Sequence, residues 1–273
     1  MHQAASGTFM KRLVSRTVPV AALDAAIVRD AFMLFASAYD GADRARFERD
    51  LAEKQKIILL CDRDTGALKG FSTVMVQRMP RGRGRVVFSG DTVIDRAYWG
   101  QKRLQIAFTR LLLRLKLRAA HEPLYWFLIS KGYRTYMLLA NAFPRAVPRC
   151  DRPDDPALRS ALDALATSRF GAAYSVDTGI VRFQHEHERV REGLAPITPR
   201  HLENPHVRFF TARNPGHAAG DELACLAEVR LVDIARIVAR LSATRMRRVV
   251  DLAARAARRT TRWNGDVRHA EGS

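Results

Sequence analysis

The period of the apolar positions changes several times along the first 150 residues, and each change marks an element. Phe9 to Val14 is strand-like. From Ala21 to Tyr39, Leu23, Ala26, Ile27, Phe32, Leu34 and Phe35 recur at helical spacing behind an early Asp24. This predicts a helix that ends at Asp40-Gly41. Asp43 to Glu53 reads as a second, polar helix. The Ile and Leu run of Lys56–Cys61 predicts a strand, Asp62 to Gly66 a turn, and Leu68–Gln77 the partner strand. A basic glycine-rich loop, Pro80 to Arg85, leads to Val86–Ile94, a β-branched run interrupted by Asp91. The loop is either a solvated hairpin connection or a basic lip over an anionic substrate.

A polar turn over 96–103 follows, and then Leu104, Ala107, Phe108, Leu111 and Leu115 restore the helical period. His121-Glu122-Pro123 turns the chain into a strand at Leu124–Ser130, and Gly132–Asn141 reads as a short helix. After Arg149 the pattern loosens. An acidic, proline-containing joint precedes a helix at Ala157–Phe170 and a strand at Tyr174–Phe183. Residues 184–222 read as a long loop, a candidate for shaping an acceptor pocket. Leu223 to about Trp263 reads as one or two helices. Leu231, Ile234, Ala235, Val238, Val249, Leu252, Ala253 and Ala256 form an apolar stripe there, with arginines opposite. We divide the chain into a core over 1–150 and a C-terminal extension over 151–273, packed on the core.

The unit at 86–118 is strand, turn, helix. Such a turn aims free backbone N–H groups and the positive end of a helix dipole at one point above the strand, which suits a phosphate. Lys102 and Arg103 add formal charge at that end. Two helices and two strands come before this unit, and a strand with a Tyr-bearing helix comes after it. In this element order the chain resembles the GNAT acyltransferase superfamily over roughly residues 19–148. The resemblance implies an α/β (α+β) fold: a mixed, mostly antiparallel sheet with splayed parallel central strands, flanked by helices. It further implies that Val86–Ile94 and Leu124–Ser130 are the splayed pair, and that Val93 or Ile94 pairs with the amides of a pantetheine arm. Arg96, Trp99, Gly100, Gln101, Lys102, Arg103 and Leu104 would hold the donor's phosphate. The family's turn reads Gln/Arg-x-x-Gly-x-Gly/Ala. With Gly100 as the first glycine, Ala97 takes the Gln/Arg position and Lys102 the second small one. That departure favours acyl-phosphopantetheine on an acyl carrier protein over acyl-CoA as co-substrate.

Charge narrows the partners. Lys and Arg number 46 against 28 Asp and Glu, a formal net charge of +18. Such a surface attracts nucleic acid, anionic lipid, coenzyme A or an acidic carrier protein. No nucleic-acid reading motif accompanies the arginines, so no specific nucleic acid is expected. The basic C-terminal stripe suits its own domain, an acidic carrier protein or a peripheral anionic membrane contact. Three scattered cysteines exclude a disulfide framework and a zinc site. With no signal-peptide core and no unbroken apolar run, they point to a cytoplasmic protein. His185-Glu186-His187-Glu188 has no third ligand nearby, so no metal is expected.

Acyl transfer needs a neutral amine, a polarised thioester carbonyl and a proton for the leaving thiolate. Asp91 and Asp95 at the strand end are candidate bases, with Glu122 a third. Asp91 stands in an otherwise uncharged strand, where a carboxylate is placed to have a raised pKa. In the resemblance, a Tyr on the helix after the splayed strand protonates the thiolate, which makes Tyr133 and Tyr136 candidates alongside Ser130. The resulting expectation is a GNAT-like N-acyltransferase that moves an acyl group, a fatty one among the possibilities, onto an amine-bearing small molecule or peptide side chain, as in natural product biosynthesis or lipidation. The alternatives are a non-catalytic acyl-ligand or partner-binding module and a basic membrane or nucleic-acid binder.

Overall fold

The structure, a computed structural model, describes residues 12–183, 189–190 and 196–243. In chain order it runs β1 (Leu13–Pro19), α1 (Ala25–Ala38), β2 (Tyr39–Asp40), α2 (Arg44–Ala52), β3 (Lys56–Asp62), β4 (Leu68–Arg78), β5 (Arg85–Ile94), α3 (Arg103–Arg118), β6 (Leu124–Ser130), α4 (Tyr133–Ala142) and β7 (Ala146–Val147). It continues with α5 (Pro156–Phe170), β8 (Tyr174–Ser175), β9 (Ile180–Val181), β10 (Arg189–Val190), α6 (Pro199–Leu202), α7 (Pro205–Arg213), β11 (Glu222–Glu228) and a helix over 231–243.

One sheet carries the fold, in the order β1-β3-β4-β5-β6-β11-β9-β8, with β7 beside β11. Its contacts are antiparallel except for β5 with β6. That is the mixed, mostly antiparallel α/β arrangement expected from the sequence. Three apolar layers cover it. The helices α1 and α2 pack on Ile57, Leu59, Phe71 and Val93. On the same face α5 packs on Val86, Phe88, Phe127 and Leu226. Helices α3, α4 and α7 close the other face through Leu112, Tyr136, Leu139 and Phe210.

The parallel pair is short. Arg85 to Ser89 register with Leu124 to Leu128, and there pairing stops, although β5 runs on to Ile94 and β6 to Ser130. The cause lies on the other edge of β5. Ser72 opposes Thr92 and Val74 opposes Ser89, so Gly90 and Asp91 together face Thr73 alone. This is a β-bulge, which bends its strand and reverses which side chains face which side. Phe88 packs under α5, and after the extra residue Val93 packs under α1 on the same face. Asp91 therefore shares that face with Phe88. Glycine is needed at position 90, because a Cβ there would lie 2.5 Å from the Thr73 hydroxyl oxygen. The point where the strands part is pinned by the Trp126 indole N–H, which donates to Ser89 Oγ at 2.9 Å.

Several expectations need correction. Residues 222–228 are a buried strand, not a helix. With neighbours on both edges and apolar layers on both faces, Leu223 to Ala227 shows no polar alternation that would have betrayed a strand. Strands β11, β9 and β8 extend the same sheet beyond β6. The 184–222 stretch contains α6 and α7, and α7 packs on α4. Tyr174–Phe183 is two short strands turning at Gly179, whose φ is +74°. Of the predicted C-terminal stripe, Ile234 is buried, whereas Leu231, Ala235 and Val238 are exposed. The helix over 231–243 instead turns Asp233 inward, gripped by Arg230 and Arg236. Positions 249–256, Phe9 and His185-Glu186-His187-Glu188 lie outside the described residues. Among those residues, no helix is long and apolar enough to cross a membrane.

Candidate functional site

Where β5 and β6 part, two cavities open. One, of about 600 Å³, lies over the turn into α3 and is lined by Val93, Ile94, Arg96, Trp99, Gly100, Gln101, Lys102, Arg103 and Leu104. All of the predicted donor-binding residues thus share one cavity. The other, of about 480 Å³, lies between α2 and α5 and is lined by Asp91, Ser130 and Tyr133 together with Lys54, Phe88, Arg169 and Glu222. Tyr39, Thr92 and Arg134 line both, so the cavities meet at the mouth of the splay.

The turn has the backbone form of an anion cradle even though its residues depart from the pattern. Gly100 has φ +83°, and Lys102, at the cap of α3, has φ +57°. A side-chain-bearing residue thus holds the left-handed conformation that glycine adopts without steric cost. Among the described residues no side chain caps α3, and Arg103, Leu104 and Gln105 of its first turn line the cavity. The turn is anchored from behind. Gln101 Oε1 accepts from the Leu13 N–H at 2.9 Å, and the Tyr98 hydroxyl donates to Asp62 Oδ2 at 2.7 Å. The N–H groups of Thr65 and Asp64, together with the Tyr98 hydroxyl, hold the Asp62 carboxyl at a pKa of about 2. Asp62 in turn pushes the Tyr98 phenol up to about 12. The Trp99 indole N–H donates to the Ile94 carbonyl at 2.8 Å, and Arg134 lies 4.7 Å over the Trp99 ring. Of the two strand positions expected to pair with a pantetheine arm, Ile94 therefore already has its carbonyl engaged.

The carboxylates separate cleanly. Asp95 caps the short helical turn at Arg96–Tyr98 and pairs with Lys69 at 3.6 Å, a structural role at the edge of the donor cavity. Glu122 stands at the opposite end of β6, held by Arg85 and Arg78, so it is removed from the candidate bases. The Pro80–Arg85 hairpin is at that far end too, and none of its residues lines either cavity. Asp91 lines the second cavity, but not in the uncharged setting anticipated. Lys54 is near enough to feel its charge, and Arg169 is close to Lys54. Lys54 is buried, and its Nζ donates to the Asp50 carbonyl at 2.8 Å. Burial, then the Arg169 charge, pull its pKa below the usual lysine value.

The two tyrosines divide likewise. Tyr133 lines the cavity, its hydroxyl 3.4 Å from Arg134 Nε and from the His201 ring. Tyr136 lines neither cavity. It is fully buried between α4 and α7, against Phe209, Phe210 and His206, and burial drives its pKa far up. It packs as a core residue, away from the cavity that Tyr133 lines. Ser130 reaches the cavity wall, but its hydroxyl donates to the Gly132 carbonyl at 2.7 Å and braces the turn into α4. Lys54 and Arg169 were not anticipated. Both stand at helix ends, far in sequence from β5, where a basic residue reads as solvated surface.

No protein-family model and no curated protein matches the sequence. Among solved structures, the chain is similar to a probable N-acyltransferase from Enterococcus faecalis V583, at 14% identity and a TM-score of 0.37. The match covers 48% of this chain and 32% of that one. It is also similar to a GNAT family N-acetyltransferase from Escherichia coli in complex with CoA, at 13% identity and a TM-score of 0.35, over 51% of this chain and 74% of that one. An acetyltransferase from Trypanosoma brucei is 22% identical at a TM-score of 0.35, over 53% of this chain and all of its own. The mostly antiparallel sheet, its one parallel pair and the parting of that pair beyond Ser89 match the mixed α/β arrangement expected from the sequence.

Proposed function

We propose that this protein is an N-acyltransferase that moves an acyl group from a pantetheine thioester to a primary amine. The parting of β5 from β6, with a cavity on either side of the gap, is the observation that carries this reading. The donor's phosphate rests on the turn over 99–104 among Arg96, Lys102, Arg103 and Arg134, and its arm runs to the mouth of the splay. The acceptor amine approaches from the smaller cavity. Asp91 takes a proton from the ammonium, and the freed nitrogen attacks the thioester carbonyl. Backbone N–H groups of the unpaired stretch of β5 face the developing oxyanion. The C–S bond then breaks, the thiolate takes its proton from the Tyr133 hydroxyl, and the second proton that the nitrogen sheds as the amide forms restores the tyrosine through solvent. The products are an amide and a free thiol. Arg96, Lys102 and Arg103 at the mouth suit either CoA or the acidic surface of an acyl carrier protein.

Purified protein incubated with acetyl-CoA, palmitoyl-CoA or an acylated carrier protein, together with a panel of amines, tests this. Thiol release and amide mass are followed. We expect turnover from at least one donor and its loss in Asp91→Asn. A donor that binds but never releases thiol would leave only the non-catalytic ligand-binding role. An Asp91→Asn variant as fast as the parent would remove the assigned base.

A further inference from the structure

The smaller cavity is lined by a guanidinium whose Nε is buried without a hydrogen-bond partner among the described residues. Arg169, in the last turn of α5, lies with its guanidinium 4.4 Å over the Phe88 ring and 5.8 Å from the Phe170 ring. The aromatic face fixes the plane of the fork. Its Nε is buried with no hydrogen-bond partner, and one Nη meets only the Met75 sulfur, at 3.6 Å. The other Nη is 3.4 Å from Glu53, whose side chain is 61% exposed. A rigid guanidinium held in this way is shaped for a carboxylate with two parallel oxygens. Lys54 stands on the same wall and is crowded by Arg169, a strain that an incoming anion would relieve.

The position of Arg169 relative to Asp91 defines the rest of the ligand. Arg169 covers Phe88, and Asp91 lies three residues further along β5, turned onto the same face by the bulge. Because the bulge sets Gly90 and Asp91 against Thr73 alone, Asp91 stands two ladder steps from Phe88, about 7 Å along the sheet. The walls between are Phe88, Phe170, Phe183 and Ile129. Resting on the N-acyltransferase reading above, we propose that the acceptor is an ω-amino carboxylate: its amine meets Asp91, an alkyl spacer crosses the aromatic walls, and its carboxylate is clamped by Arg169. An α-amino acid, with its two charges on adjacent carbons, cannot reach both.

The test is a substrate series with one donor: 6-aminohexanoate, hexylamine and norleucine. We expect kcat/KM for 6-aminohexanoate to exceed that for each of the others at least tenfold. In Arg169→Gln the ratio to hexylamine should fall to about one, and Arg169→Lys should recover part of it. Equal use of hexylamine by the parent, or a preference that survives Arg169→Gln, would overturn the proposal while leaving the acyltransfer reading standing. If no amine is acylated, that reading fails by itself. Hexanoate then serves as a probe free of chemistry. It should raise the melting temperature of the parent and not of Arg169→Gln, and equal or absent shifts in the two would refute the clamp.

Discussion

The bulge at Gly90 makes a sharp prediction, because one missing methyl group permits it. In Gly90→Ala the new Cβ would sit 2.5 Å from Thr73 Oγ1 and 3.2 Å from Lys54 Cε. The first contact is about 1 Å short of ordinary van der Waals distance. Lys54 can give way at the end of its chain. Thr73 is buried and β-branched, with little freedom at χ1. Overpacking of this kind costs about 1–3 kcal/mol, against which the stiffer unfolded chain returns about 0.4–1. We expect a net loss of about 1–2 kcal/mol, seen as a urea midpoint lowered by about 0.5–1 M at an m-value of about 2 kcal/mol/M. Thr73→Ala removes the closer of the two clashing atoms, a hydroxyl oxygen with no hydrogen-bond partner, so its own cost should be small. In the double variant the alanine methyl occupies the vacated space. The two changes together should therefore cost at least about 1 kcal/mol less than their sum, measured by a urea double-mutant cycle. Additivity to within about 0.5 kcal/mol would mean that Gly90 and Thr73 do not meet as described, and the account of why β5 turns away from β6 would fail with it.

Lys102→Gly should stabilise the protein by up to about 1 kcal/mol in chemical denaturation by relieving a left-handed lysine, while raising KM for a phosphate-bearing donor; Lys102→Val should destabilise it. Tyr133→Phe should slow transfer at least tenfold, whereas Tyr136→Phe should leave kcat within about twofold, and equal effects would place the proton donor elsewhere. The depressed pKa of Asp62 predicts a pH dependence of stability. Its folded-state value of about 2 lies below the ordinary 3.8, so its contribution is present above about pH 4 and is lost as pH falls towards 2. Melting temperatures of the parent and Asp62→Asn should accordingly differ at pH 6 and converge by pH 2, and a constant gap would contradict the network.

The elements around the splay were legible because each announces its period. Leu124–Ser130 is an unbroken apolar run and was placed to the residue, and the helix read from Asp43 matches α2 with Asp43 as its cap, whereas α1 starts at Ala25 behind an Asp24 cap, not at Ala21. Strand β11 was not, because Leu-Ala-Cys-Leu-Ala lacks β-branched residues and alternation alike. The bulge did leave a trace, a glycine beside an aspartate within a strand, which is the residue pair that irregular strands favour. Tyr133 and Tyr136 lie on one helix with the same neighbours in sequence, and only the arrival of α7, some 70 residues later, assigns one to the core. The clamp formed by Arg169 depends on three segments, ending at positions 54, 91 and 169, that nothing in a linear reading ties together.

The sheet's order also dictates when the protein can assemble. The free edge of β6 is closed only by β11, about ninety residues downstream, so at a synthesis rate of roughly 5–20 residues per second the nascent chain carries an open, apolar strand edge for some seconds. A translation product that stops near residue 150 keeps that edge permanently. Such fragments should be recovered bound to chaperones or in inclusion bodies, and the cleft should mature only after synthesis has passed Glu228.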